Sequence, residues 1–358
     1  MELIGYNREN LLQLIDSPDF DRVPNIPISR IRAISQCNNP RALDSDILLM
    51  CIWENQSLLA YLGMLPDDLQ DGPESVHFAW LSCLWVNPDH RGRQLSKKLL
   101  HAAADAWRGN LMGTEFVPSL GAMYQRSGLF APFKWYQGKR IYLRFYLEAW
   151  LPPKNRFWQF IKPLLRRADQ ALNYFIKSKK RTLPLSYQDF RVHEIPQDVA
   201  QWFKRFHGDN AFGRSAPDLN WILQFPWIHT EPDGDEKRYH FSVYDPSFRQ
   251  VALVISSNTG EVEGFTILIH RNKTIKTTYL YCLPEQAGTM ASIIEDYAWQ
   301  HQAAVILTWQ KPLIEHFQKS GYPGWLTRDA VRIYMAAPTL SPLLKKSIQD
   351  GDGDCAFT

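Results

Sequence analysis

The hydrophobic positions of this chain switch between two periods, and the switches predict an α/β architecture. Ile28 to Ile34 reads as a short helix stopped by Asn38-Asn39-Pro40. Ile47 to Trp53 is an apolar run rich in strand formers, Glu54-Asn55-Gln56 is a turn, and Ser57 to Leu65 is apolar again. That is a hairpin pattern, which Pro66-Asp67-Asp68 is expected to close. His77 to Val86 is nearly all apolar, as in a strand buried on both faces. Asn87-Pro88-Asp89 breaks it, and Leu95, Leu99, Leu100, Ala103 and Trp107 then recur at helical spacing. Leu111 to Val117 predicts another strand, and Leu120 to Arg126 a short helix stopped by Gly128. Phe133 to Trp135 and Ile141 to Tyr146 predict a closing hairpin around Gln137-Gly138.

A similar order returns after about Leu183. Helical and loop material around Val199 to Phe206 comes first, and Tyr239 to Val243, Val251 to Ser256, Val262 to His270 and Thr274 to Cys282 read as strands. A helix over 288–302, a strand at Ala304 to Thr308, a helix from Lys311 to Lys319 stopped by Gly321, and a strand at Ala330 to Met335 follow. YQRSGLF at 124–130 and FQKSGYP at 317–323 place an aromatic, Gln, a base, Ser and Gly in one order. We read this as a weak internal repeat of one α/β unit. Between the copies, Phe157, Phe160, Leu164, Leu165, Ala168, Leu172 and Phe175 recur at helical spacing, with Pro163 kinking or starting a helix. The expected segments are therefore a first domain at 1–151, a linker helix at 152–182, a second domain at 183–340 and a tail at 341–358.

Composition narrows the classes. With 358 residues, 45% of them hydrophobic, the chain is long enough for two cores and excludes wholesale disorder. Five cysteines, an odd number with no CxxC pair, argue against a disulfide framework or zinc knuckle and for a reduced cytoplasmic protein. The N-terminus lacks a signal-peptide pattern, and no apolar run approaches bilayer length. The net charge of +3 hides an asymmetry. Residues 152–181 hold nine bases against Asp169 alone, a net of +8, which leaves −5 for the rest. Three readings of that basic helix stand side by side: a solvated linker packed on the domains, a peripheral contact with an anionic membrane, or a nucleic-acid contact. No other feature resembles a nucleic-acid module, so that partner is not favoured. The tail motif DGDGD hints at a calcium loop but lacks the twelve-residue frame and closing Glu, so no metal is expected.

The stretch that carries chemistry is LWVNPDHRGRQLSKKLL, Leu84 to Leu100. A strand ends at Val86, a turn follows, and a helix opens near Gln94. The first N–H groups of a helix are unpaired and the helix dipole adds positive potential, so this turn is an anion site. Arg91 and Arg93 add formal charge, and a pyrophosphate suits the cradle.

Here the sequence resembles the GNAT acyltransferase superfamily. Its pattern is a strand ending in V-x-P, then [RQ]-x-x-G-x-[GA], then an amphipathic helix. Val86, Pro88, Arg91, Gly92 and the helix fit; Gln94 stands where the family usually has Gly, and Ser96 departs mildly. The resemblance covers roughly Ile28 to Tyr146. It implies two tandem GNAT-like domains, each a mixed, mostly antiparallel twisted sheet flanked by helices. The second copy has no Arg-Gly turn in LYCLPEQAGT, so it reads as degenerate, with Trp221, Phe225, Trp227 and Tyr239 lining an acceptor cleft. The implied cofactor is acetyl-CoA or another acyl-CoA, as co-substrate. Its pyrophosphate would lie on the backbone of Arg91, Gly92, Arg93, Gln94, Leu95 and Ser96, and its pantetheine arm along Leu84 and Val86. Tyr124 matches the family tyrosine that protonates the leaving thiolate.

The general base stays open. The position where members with a strand base carry Glu is Trp80 here, which cannot act as one. Candidates are His77, Glu74, Ser82 acting through water, no base at all, or the tail. Some two-domain relatives use their own C-terminal carboxylate, and this chain ends DGDCAFT, so Thr358 or a tail aspartate is a candidate. The resemblance implies an N-acyltransferase acting on an amine of a small or carbohydrate-like acceptor, as in bacterial two-domain members. Two alternatives remain: a Fem-type aminoacyl-tRNA-dependent peptidyl transferase, or a non-catalytic CoA-binding module.

Overall fold

A computed structural model describes every residue except 73, 117, 152–154, 177–185, 191–193, 258, 322, 323, 325 and 358. In chain order the elements begin with β1 (Glu2–Tyr6), α1 (Arg8–Asp16), α2 (Arg30–Cys37), β2 (Leu49–Glu54), β3 (Ser57–Asp71), β4 (Glu74–Val86), α3 (Leu95–Ala106), β5 (Leu111–Thr114) and α4 (Pro118–Ser127). Next come β6 (Lys134–Tyr142), α5 (Leu147–Trp150), α6 (Arg156–Phe160), α7 (Lys162–Phe175), β7 (Ser186–Phe190), α8 (Gln197–Phe203) and α9 (Ala216–Gln224). The chain closes with β8 (Arg249–Ser256), β9 (Val262–Arg271), β10 (Thr274–Cys282), α10 (Ala287–Gln300), β11 (Val305–Thr308), α11 (Lys311–Ser320) and β12 (Leu326–Ala336).

The chain divides into two compact units, each discontinuous in sequence. Met1–Tyr136, Arg191–Gln250 and Val331–Thr358 form the first, Gln137–Phe190 and Val251–Ala330 the second. Residues 191–250, which the sequence reading placed at the head of a second domain, group with the first unit.

In the first unit the order is β1-β2-β3-β4-β5, with the end of β12 beside β5. All pairs are antiparallel except β4 with β5. Asn55 and Gln56 both take positive φ, 49° and 64°, the two-residue turn whose twist matches a hairpin. Apolar side chains pack in two clusters. One joins β2–β5 to α3 through Leu95, Leu99, Leu100 and Ala103, and the other gathers Leu11, Ile15, Ala33, Tyr61 and Tyr239. In the second unit the order is β6-β11-β10-β9-β8-β7, and Ile293, Ile294, Tyr297, Leu313 and Phe317 from α10 and α11 enter its core. Both units are mixed α/β with mostly antiparallel sheets.

Three expectations fail for identifiable reasons. β3 does not stop at Pro66 but runs to Asp71. β2 pairs only as far as Gly63, so beyond it β3 has β4 as its one strand neighbour among the described residues, and an edge tolerates a proline without N–H. The hairpin around Gly138 is instead the single strand β6. Gly138 lies flat on Trp309, where a Cβ would sit 2.6 Å from the indole, so the glycine marks a close approach and not a turn. Tyr239 to Val243 is not a strand but an irregular connection that buries Tyr239 and Val243 in the first unit and leaves His240 and Ser242 exposed. Among the described residues no helix is long and apolar enough to cross a membrane.

Candidate active site

The turn between β4 and α3 is built as its spacing predicts. Asn87 caps the Pro88–His90 turn by accepting from the Asp89 N–H at 3.1 Å. Gly92 takes φ +84°. Gln94 is the residue before the helix and also adopts the left-handed region, φ 56° and ψ 27°. The family's glycine position is thus a real backbone requirement, which Gln94 meets at a cost of about 1–2 kcal/mol. Leu95 is buried and anchors the helix start, while Arg91, Gly92, Arg93 and Gln94 are exposed and Ser96 half-buried. Arg93 pairs with Glu54 at 3.2 Å, which leaves the exposed Arg91 as the freer cation.

The strand leading into this turn separates from its neighbour. β5 pairs with β4 only at Ala79, Trp80 and Leu81. From Ser82 to Val86, β4 has β3 as its one strand partner among the described residues. The β3–β4 register shifts between Tyr61 and Gly63, and Cys83 takes φ 56°, a bulge. Leu84 and Val86 lie on this open edge, their side chains against the apolar cluster. An unpaired strand edge leading to an exposed helix N-terminus fits an extended chain ending in pyrophosphate.

Beside the bulge sits the tail. Ser82 donates from Oγ to Asp354 Oδ2 at 2.6 Å, and Arg32 Nη2 donates to Ser82 Oγ at 2.7 Å. Arg32 also donates to the Tyr239 hydroxyl at 3.0 Å and to Cys83 Sγ, with its guanidinium 3.9 Å from the Trp227 ring centroid. The tail is not a frayed end. Asp350, Asp352, Cys355, Ala356 and Phe357 are all buried. Phe357 stacks on Trp227, with centroids 4.4 Å apart and planes 7° apart, and meets Trp221 edge-on. Trp221, Trp227 and Tyr239, expected to line an acceptor cleft, are buried in the first unit, the two indoles as the seat of Phe357. Arg214 bonds Asp352 at 2.9 Å and both oxygens of Asp67, at 2.8 and 2.6 Å. Burial pushes Asp352 up despite Arg214. Burial also opposes the ionised form of Asp67, but Arg214 and Arg41 outweigh it and hold that carboxyl down.

Trp80 explains its own presence. Its Nε1 donates to Asp67 at 2.8 Å, and Gly353, at φ +81°, lies on its ring, where a Cβ would stand 3.3 Å away. Where the resemblance places a glutamate base, this chain places a platform for its tail.

Tyr124 is 4% exposed, between Phe116 and Phe130. Burial, reinforced by the Asp354 charge, pushes its phenol well above the ordinary value. His77 stands apart, further back on β4. It bridges Asp68 at 2.8 Å and Asp46 at 3.0 Å, and bonds to these two raise it to about 9. A ring protonated at neutral pH has no lone pair for a base. Thr358 lies outside the described residues, one position past the anchored Phe357. The structure therefore brings together Ser82, Asp354, Arg32 and Tyr124, and leaves His77 out. Arg32, Asp67 and Arg214 were missed by sequence reasoning, because each meets its partners across long separations with no local motif. No group of His, Cys, Asp and Glu among the described residues is arranged to hold a metal ion.

A splayed strand pair thus feeds a helix N-terminus, with a phenol and a carboxylate beside it. Residues 12–128 match the family model described as the acetyltransferase (GNAT) family, and the chain carries a domain of that superfamily. A search of curated proteins finds no match. Among solved structures the chain is similar to N-myristoyltransferase from Saccharomyces cerevisiae with bound myristoyl-CoA. The identity is 13%, the TM-score 0.53, and the match covers 94% of this chain and 78% of that one. It is also similar to a GCN5-related N-acetyltransferase from Anabaena variabilis ATCC 29413, at 11% identity and TM-score 0.51, covering 93% and 71%. A probable N-acyltransferase from Enterococcus faecalis V583 matches at 10% identity and TM-score 0.51, covering 94% and 72%. At these identities the likeness is one of fold.

Proposed function

We propose that the protein is an acyl-CoA-dependent N-acyltransferase whose base is supplied by its own C-terminal segment. The observation that carries this reading is the placement of Asp354 on Ser82, beside the bulge of β4, where its charge adds to the burial that keeps the Tyr124 phenol protonated.

Arg91, Gly92, Arg93, Gln94, Leu95 and Ser96 would hold the pyrophosphate, and the open edge at Leu84 and Val86 the pantetheine arm. Acyl-CoA supplies the activated acyl group as a thioester. The neutral acceptor amine attacks the thioester carbon through its lone pair and, as the tetrahedral adduct forms, gives its N–H proton to a tail carboxylate. The C–N bond forms, the C–S bond breaks, and sulfur leaves with its electron pair. Tyr124 keeps its proton at neutral pH and donates a hydrogen bond to the developing thiolate. Acetyl is the donor we favour, and an amine on a small or carbohydrate-like molecule the acceptor. The five cysteines form no disulfide among the described residues, which supports a cytoplasmic setting. The second unit, lacking the Arg-Gly turn, is read as a worn copy of the same fold.

Asp354 and the terminal carboxylate of Thr358 are separated by experiment. Asp354→Asn should lower turnover by about a thousandfold while acetyl-CoA still binds; adding one glycine after Thr358 should have little effect. The reverse result assigns the role to the terminus. Full turnover in both variants removes the tail from the reaction.

The structure supports one reading of the basic helix. α6 and α7 turn apolar side chains outward, with Phe157 62%, Phe160 86%, Leu164 62% and Phe175 78% exposed. Arg156, Lys162 and Arg167 stand among them. Exposed aromatics flanked by cations suit the surface of an anionic bilayer. The protein should float with phosphatidylglycerol vesicles and not with phosphatidylcholine, and Phe157→Ser with Phe160→Ser should abolish flotation. Equal flotation of this double variant contradicts the contact.

A further inference from the structure

The second unit contains a cavity of about 320 Å³ that the transfer reaction does not use. It lies between the chain after β6, one face of α7, the β9–β10 turn and the residues before β11. Its size falls in the range of small-molecule sites.

The charges around it are unevenly matched. Asp169 is engaged by the backbone, accepting from the N–H groups of Leu147 at 2.8 Å and Glu148 at 3.0 Å. Glu148 is engaged by Arg166 Nε at 2.7 Å. Asn173 gives both ends of its amide to the backbone of Phe145, at 2.8 and 2.9 Å. Two cations lining the same cavity have no such partners. The Nε of Arg144 is buried without a hydrogen bond, and its Nη2 reaches only the Trp299 carbonyl, at 3.4 Å. The rest of that guanidinium lies over the Trp299 ring, 4.5 Å from its centroid. Lys273 is exposed at the cavity mouth, its ammonium over the Tyr146 ring at 5.3 Å and without a side-chain hydrogen bond among the described residues. It is also held in the left-handed region, φ 58°, directly after Asn272 at φ 48°. Burying a cationic donor without an acceptor is unfavourable, and this cavity does it beside a second unmatched cation.

We propose that this cavity is a binding site for a small molecule bearing an oxyanion, a phosphate or a carboxylate, held by Arg144 and Lys273. A guanidinium offers parallel N–H donors that match two oxygens of one such group, and the ammonium adds a mobile point charge. Gln170 and Gln302 offer neutral amides to the remainder of the ligand. The site belongs wholly to the second unit and does not depend on the acyl-transfer reading.

The test is calorimetric titration of the full chain with inorganic phosphate and, separately, with succinate, with chloride as control. It is run in an Arg91→Ala/Arg93→Ala background, so that the α3 cradle does not report. One saturable site is expected, and the better probe names the oxyanion. Arg144→Gln and Lys273→Gln should each weaken binding about tenfold to a hundredfold, the worth of one charge-assisted hydrogen bond. Lys273→Gln disturbs no hydrogen bond of its side chain, so its binding loss should come with an unchanged thermal midpoint. Absence of saturable binding for both probes overturns the proposal, as does unchanged affinity in the Lys273→Gln protein.

Discussion

β4 to α4 in the first unit and β10 to α11 in the second are built on one plan, yet only the first holds the groups we assign to acyl transfer. In each, a long strand pairs antiparallel with its predecessor and parallel, over three residues, with the strand after the helix. Each long strand has a register shift just past that parallel stretch. Each closing helix ends at a glycine with φ 72°, Gly128 and Gly321. The differences are a few groups. The turn before α3 holds Arg91, Gly92 and a left-handed Gln94, whereas the turn before α10 is Pro284-Glu285-Gln286, with Gln286 in the ordinary helical region. Tyr124 and Phe317 occupy the same place in the two closing sequences and are equally buried, and the second lacks the hydroxyl. Only the first strand has the tail beside it. The frame comes from apolar spacing, which tolerates much change, while the site we propose needs a turn, a phenol and a carboxylate together.

The sharpest way to break this contrast is to unseat the tail. Phe357→Ala removes a fully buried ring and should cost about 3–5 kcal/mol, read as a lower denaturant midpoint, with turnover falling as well. A midpoint within experimental error would show that the stack on Trp227 holds nothing. Making the first helix resemble the second is the next step. Tyr124→Phe should reduce turnover about a hundredfold with acyl-CoA affinity unchanged, and unaltered turnover would remove the phenol from the reaction.

A third contrast is one of pH. His77 is raised in the fold from 6.5 to about 9 by Asp46 and Asp68. Its contribution is complete below pH 6.5 and is lost as pH rises through about 9. Partial exposure screens it, so the loss should be on the order of 1–2 kcal/mol. In His77→Gln, stability should no longer decline over that window; a decline as steep as before would contradict the pairing. The smallest change is Gln94→Gly. Relieving a left-handed side chain should raise stability by about 1 kcal/mol, and lower stability would show that Gln94 makes contacts worth more than its strain.

Most of the frame was legible in the sequence, because alternating and helical apolar periods are local signals. β4, α3, α4, β8–β11 and α10 stand close to where those periods place them. β3 past Pro66 and β6 through Gly138 were not legible, since each depends on what lies beside the strand. The anion turn could be read because its residues are contiguous. The rest could not. Ser82 and Asp354 are 272 positions apart, and Arg32, Arg214 and Asp67 carry no motif that announces a shared network. The tail showed only an apolar anchor and acidic residues, and its meaning came from Trp80, Trp221 and Trp227.

Stoichiometric titration of acetyl-CoA into the full chain tests the contrast between the two copies most directly. We expect one equivalent bound per chain, lost in Arg91→Ala/Arg93→Ala and unaffected by Glu285→Ala in the second turn. No binding of acetyl-CoA or of longer acyl-CoAs, or two equivalents per chain, would contradict it.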